Sequence, residues 1–220
     1  DICKELFSLG VDAITTGNHV WAQKQILSYI SQEKRVLRPL NYPQGTPGAG
    51  FTLLEKPGHK PTLVINVMAR LFMEPFLDDP FKVCDQLLER FRLGQNVGMI
   101  IVDIHGEATS EKISFANYFD GRVSMVFGTH THVPTSDARI LPKGTAYQTD
   151  LGMCGDYNSV LGMKIETAIP KFIRKGCLEK LSVSLGDGTI AGVLMDSQNN
   201  CLAASINPVI VGPVLKNLLP

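Results

Sequence analysis

The sequence predicts an α/β fold built as one domain, in which mixed β-sheets are flanked by helices. Apolar runs rich in β-type residues alternate with helical patterns as far as His132, and hairpin patterns dominate the remainder. A chain of 220 residues, 44% of them hydrophobic, can bury one large core.

The elements follow in order. Residues 2–7 read as helix, with Gly10 as its C-cap. Residues 11–15 read as a short buried strand that runs into Thr16-Gly17-Asn18-His19. A helix is expected over 21–30, with Ile26, Leu27 and Ile30 on its apolar side. Residues 38–48 carry three prolines and two glycines, which remove backbone donors and fix φ, so an ordered loop is expected. Residues 51–54 and 62–67 read as strands joined by the turn 56–61. An irregular stretch over 68–80 precedes a helix over 81–91. Residues 97–104 form a buried strand with His105 at its end. Thr109 or Ser110 is expected to cap the next helix, with Glu111 in its first turn and Gly121 just past its end. The strand 123–127 delivers the turn Gly128 to His132. Residues 138–141 and 145–149 form a hairpin around Pro142-Lys143-Gly144, and 165–174 reads as a helix kinked at Pro170. The tail reads as β over 181–185, 189–195 and 201–206, with a turn at Gly186-Asp187-Gly188.

Composition narrows the function classes. Lys+Arg and Asp+Glu balance at 21 each, so no strong nucleic-acid or anionic-membrane signature exists. No apolar run approaches the ~18 residues of a membrane span, and no basic-then-apolar leader pattern opens the chain. The five cysteines are widely spaced with no CxxC pair, which predicts reduced thiols in a cytoplasmic protein.

The histidines are more specific. Four of the five sit in Gly17-Asn18-His19, His105-Gly106-Glu107 and Gly128-Thr129-His130-Thr131-His132. Each motif follows a predicted strand, and strand-end loops are where open α/β sheets place their chemistry. His130 and His132 are two residues apart, so an extended backbone projects both to one side with their bases ~6–7 Å apart. That spacing suits two ligands on one metal, or one on each of two metals. Asn18 offers a neutral carbonyl oxygen and His105 a further imidazole. His19 points elsewhere and is suited to general acid work at neutral pH. Glu107 either orients a histidine or pairs with a cation, and the second reading is favoured. Arg38 and Asn41 either touch a phosphate or make ordinary loop hydrogen bonds. His59 reads as solvated, and Trp21, Phe115 and Phe119 as core.

Taken in order, these motifs resemble the calcineurin-like metallophosphoesterase pattern of GNH, a lone histidine and GHxH, with Thr129 inserted after the glycine as in one branch. Longer runs, 38–43, 105–112, 120–123, 128–133, 140–147 and 149–153, resemble the bacterial YmdB-type family. The resemblance covers essentially the whole chain and is weakest after about residue 185. It implies a metallophosphoesterase-type sandwich of mixed sheets, with residues 1–220 as a single metallophosphoesterase domain. It further implies a 2',3'-cyclic-nucleotide 2'-phosphodiesterase with two divalent metal ions, iron or manganese. By that resemblance Asn18, His105 and His130 bind one metal and His132 the other. Hydroxide attacks phosphorus in line with the 2'-oxygen, and His19 protonates that oxygen to release a 3'-nucleotide. The family pattern begins with a strand ending in a ligand aspartate and a second strand carrying a Glu-Asn pair, neither of which this sequence contains. The expectation is therefore an N-terminally truncated domain lacking those strands, with His132 the sole protein ligand on its ion and turnover by this chain in question. A small-molecule cyclic nucleotide is the expected partner, with no membrane, and the oligomeric state stays open. Alternatives are a broad-specificity metallophosphatase and a non-catalytic regulator that binds nucleotide or protein.

Overall fold

In the computed structural model, residues 2–173 and 180–219 are described. The elements are α1 (Ile2–Ser8), β1 (Ile14–Thr15), α2 (Ile26–Gln32), β2 (Val36–Leu37), β3 (Phe51–Leu54), β4 (Thr62–Met68), α3 (Pro80–Leu88) and β5 (Met99–His105). They continue with α4 (Thr109–Tyr118), β6 (Met125–Thr129), β7 (Arg139–Ile140), β8 (Ala146–Gln148), α5 (Ile165–Ala168), α6 (Pro170–Ile173), β9 (Ile190–Ser197) and β10 (Ala203–Val211). The centre is a six-stranded mixed sheet of order β3-β4-β5-β6-β8-β7. Its four inner strands run parallel, and β3 and β7 close the two edges antiparallel.

Side-chain alternation gives the sheet two faces. On one, Leu63, Ile65, Val67, Ile100, Val102, Ile104, Val126 and Tyr147 pack with Cys84, Leu87 and Leu88 of α3 and with Phe115 and Ala116 of α4. The two crossover helices also touch, with the Phe81 and Phe115 rings 5.2 Å apart. On the other face, Met125 and Ala146 pack against Ala203, Val193, Met195 and Ile206 of the β9–β10 hairpin. The alternation turns Asp103 and His105 away from the face that holds Ile100, Val102 and Ile104. A small parallel pair, β1–β2, packs with α1 and α2 around Val20, Ile30 and Val36. Sequence patterning anticipated β3 through β8 and both crossover helices.

Several boundaries moved, each for a local reason. The helix expected over 21–30 begins only at Ile26, because 17–22 is taken up by tight turns, with Val20 N donating to Gly17 O and Ala22 N to His19 O. Helix α4 starts at Thr109 itself, so Ala108 is the cap and neither hydroxyl caps it. Glu111 instead accepts the backbone N–H groups of Arg70 and Leu71, tying the loop after β4 to α4. Helix α3 follows the expected chemistry, with Asp79 accepting from Phe81 N and Pro80 in first position. The strand expected over 181–185 is one bridge, Met163 to Val183. Pro170 splits rather than kinks its helix, into α5 and α6, and residue 174 lies outside the described residues. Among the described residues no helix is long and apolar enough to cross a membrane.

The hairpin β7–β8 is anchored by Asp137. Its carboxylate accepts from Thr135 Oγ1 at 2.7 Å, Thr149 Oγ1 at 2.6 Å, Thr149 N at 3.1 Å and Arg139 Nη1 at 3.0 Å. Partial burial pushes this carboxyl up, but the donors outweigh it and bring it down to about 2. A carboxylate depressed in the fold stabilises above its unfolded value near ~3.9 and loses that contribution as pH falls through the folded value. With 31% of the side chain exposed, we expect ~1–2 kcal/mol to disappear between about pH 4 and pH 2. Denaturant unfolding of the wild type and Asp137→Asn checks this. A gap between them that is the same at pH 6 and pH 2 rules the contribution out.

Candidate metal centre

Parallel neighbours β5 and β6 end side by side, with His105 in register with Thr129, so their carboxyl-terminal loops emerge together. The turn after β1 brings Gly17 and Asn18 over the same edge. Gly17 is required there, because a Cβ would lie 2.3 Å from the His105 ring. Gly128 is equally constrained, since its Cβ would meet the Thr149 carbonyl oxygen at 1.8 Å.

Three of the expected residues converge. His105 Nε2 lies 3.0 Å from Asn18 Oδ1 and 3.2 Å from His130 Nδ1. The outer nitrogens assign the tautomers. Thr129 Oγ1 donates to Asp103 Oδ1 at 2.8 Å, which leaves that hydroxyl oxygen to accept from His105 Nδ1 at 2.9 Å. Burial pushes the Asp103 carboxyl up to about 7, against the hydrogen bonds from Thr15 and Thr129. His130 directs Nε2 at Glu107 Oε2, 3.4 Å away. Glu107 thus lies where it can orient His130, and the contact is a cation pair only when that ring is protonated. With the ring protons on these outer nitrogens, the three inner atoms each present a lone pair. Two donors on one ion at ~2.0–2.1 Å, ~90–100° apart, are separated by ~2.8–3.2 Å. The observed separations fall in that range. Both rings are also held neutral, as ligands must be. Burial, with His130 and Lys112 nearby, lowers His105 to about 3. Burial, with Lys112 and His132, lowers His130 against the pull of Glu107.

Among the described residues no group of three or more His, Cys, Asp or Glu is placed to hold a metal. The converging set is mixed, its third donor being an amide oxygen, a combination that suits borderline first-row divalent ions.

His19 and His132 are exposed, and neither side chain hydrogen-bonds to the trio among the described residues. The premise of extended backbone through the histidine turn is corrected, since φ is +114° at His130 and +67° at His132. Such left-handed residues cost ~1–3 kcal/mol each unless their surroundings enforce them.

What enforces the turn was missed from sequence. Lys112 and Asp150 form an ion pair at 3.1 Å, their side chains 0% and 1% exposed. Lys112 Nζ also donates to Thr129 O at 3.1 Å, and Asp150 accepts from Thr131 N at 2.9 Å and Gly152 N at 3.0 Å. Lys112 lies in the run 105–112 and Asp150 in 149–153, both quoted for the resemblance, but no local spacing joins them. Arg38 and Asn41 turn out to be stapling residues of the proline loop. Arg38 donates to the carbonyls of Pro39 and Pro47, and fully buried Asn41 to those of Met68 and Asp78.

A family model described as YmdB-like protein matches residues 1–209. The chain is 46% identical over 195 residues to the 2',3'-cyclic-nucleotide 2'-phosphodiesterase of Bacillus subtilis (strain 168), covering 89% of this chain and 72% of that protein. A hypothetical protein from Thermus thermophilus superposes with TM-score 0.84 at 42% identity, over 95% of this chain and 79% of the other. A novel phosphatase from Mycoplasma pneumoniae superposes with TM-score 0.85 at 36% identity, over 95% of this chain and 75% of that one.

Proposed function

The chain belongs to the YmdB-like family, and from that premise we propose that it hydrolyses phosphodiesters, 2',3'-cyclic nucleotides foremost, with divalent metal. The observation that carries the reading is the convergence of Asn18 Oδ1 and His130 Nδ1 on His105 Nε2, at 3.0 and 3.2 Å, separations that suit ligands of one ion. In this reading those residues hold one ion and His132 contributes to a second, iron or manganese in each case. Bound metal would supply charge stabilisation at phosphorus and an activated water.

The chain's own residues do the rest. Asp103 acts through Thr129 to keep the His105 proton on Nδ1, and Glu107 keeps that of His130 on Nε2. His19, exposed beside the trio on the turn that carries Asn18, is free to reach a leaving oxygen and protonate it. The cyclic substrate would leave as a 3'-nucleotide. A cytoplasmic setting is part of the proposal, resting on the free thiols of Cys3, Cys84, Cys154 and Cys201.

The test supplies 2',3'-cyclic AMP and Mn(II) and measures 3'-AMP and metal bound per chain. Release of 3'-AMP that stops with chelator and returns with Mn(II) supports the reading. Faster turnover of phosphomonoesters makes the protein a broad metallophosphatase instead. Nucleotide bound by folded, metal-loaded protein without any turnover overturns the enzyme reading in favour of a regulator.

A further inference from the structure

Among the described residues, the histidine turn is the one place where two non-glycine residues in left-handed backbone flank a single amide, with His130 and His132 on either side of Thr131. A turn of this shape persists only where its backbone groups are caught from outside. Here they are caught by one buried ion pair. Lys112 holds the carbonyl that enters the turn, Thr129 O, and Asp150 holds the amide at its middle, Thr131 N. The second Asp150 oxygen accepts Gly152 N, so the carboxylate spans the turn and the strand-end segment that follows β8. Beyond it, His132 O accepts Met153 N at 3.1 Å, which fastens the far side to the same segment.

A buried ion pair is poor evidence of added stability, since apolar residues of similar volume often do as well. Its value here is directional. Each charge makes a hydrogen bond to the backbone of the histidine turn, and Asp150 makes its second to the segment beside it, not to the packing core. Resting on the metal reading above, we propose that Lys112 and Asp150 are positioning residues, which fix the direction in which His130 and His132 present their imidazoles to metal. Neither residue touches the ion. They act by setting the backbone from which the ligands project, so their loss lowers metal affinity even where the fold survives.

The experiment compares wild type with the double variant Lys112→Met/Asp150→Asn, which removes both charges at similar volume. Lys112→Met alone strands a buried carboxylate and is expected to unfold the chain. Titration calorimetry with Mn(II), alongside thermal unfolding without added metal, reads the two effects separately. The double variant is expected to keep a cooperative unfolding transition while binding Mn(II) ~10–100-fold more weakly, with activity partly recovered at high Mn(II). Unchanged Mn(II) affinity in the folded double variant overturns the positioning role while leaving the metal reading intact. A wild type that binds no Mn(II) overturns the metal reading and this inference with it. Should the double variant fail to fold, hydrogen exchange of wild type without metal decides the matter. A slowly exchanging Thr131 amide supports a preformed turn, and a fast one overturns it.

Discussion

His105→Ala is expected to abolish tight metal binding while leaving the metal-free fold as stable as wild type, or more so. The two halves have one cause. His105 Nε2 faces Asn18 Oδ1 at 3.0 Å and His130 Nδ1 at 3.2 Å, and with the ring protons on the outer nitrogens all three atoms present lone pairs. Without a cation between them, such an arrangement is electrostatically unfavourable and contributes nothing to folding. Removing the central ring relieves it, which offsets the apolar contacts the imidazole loses. With metal present the sign reverses. A ligand at 100 times its Kd stabilises the native state by ~2.7 kcal/mol, or roughly 5–10 °C in a chain of this size. Wild type should show that rise in Tm with Mn(II), and His105→Ala should show none. Its affinity loss should exceed the ~10–100-fold typical of changes one step removed from the metal. A His105→Ala protein that still gains Tm with Mn(II) like wild type would falsify the assignment of His105 as ligand. A large loss of metal-free stability would instead make His105 a core residue.

How far the sequence carried this reading depends on whether the signal was local. The strands at β4, β5 and β6 announce themselves as largely apolar runs, and their parallel order follows from the helical crossovers α3 and α4 that join them. The glycine-flanked motifs at 17–19 and 128–132 mark where backbone must approach closely, which Gly17 beneath the His105 ring and Gly128 beneath Thr149 O confirm. What stayed hidden is held together across the sheet. Lys112 reads as one more polar position on a helix, and only the fold shows its amine fully buried against Asp150. Asp103 reads as an interruption in a buried strand. Its reason is Thr129 on the neighbouring strand, in line with His105. The histidine turn misled in the same way. Spacing of two suggests extended backbone, but the catch by Lys112 and Asp150 favours left-handed geometry that no single-residue preference foretells. Helix α2 began late because turns form readily near Gly17, and propensity over 21–25 lost to the demands of the Asn18 loop.

His19→Ala is expected to reduce turnover of 2',3'-cyclic AMP by ~10²–10⁴-fold with little change in metal content or KM, the span ordinary for loss of a general acid. The expectation starts from placement. His19 is exposed one residue from Asn18, and its side chain makes no hydrogen bond to the metal trio among the described residues. The turn that carries Asn18 into the trio also carries His19, which places it beside the ligands without making it one. A group so placed can assist departure of the 2'-oxygen, a strongly basic leaving group that needs a proton as its bond to phosphorus breaks. The distinction from a metal ligand lies in the leaving group. A diester that expels p-nitrophenolate leaves a weak base and gains little from proton donation. For bis(p-nitrophenyl) phosphate, His19→Ala should therefore lose no more than about tenfold, well short of the ~10²–10⁴-fold contribution of a working acid. Parallel assays of the two substrates on the same metal-loaded preparations make the comparison direct. Equal losses on both, or a fall in bound Mn(II), would show that His19 supports the metal site and leave proton delivery to another group.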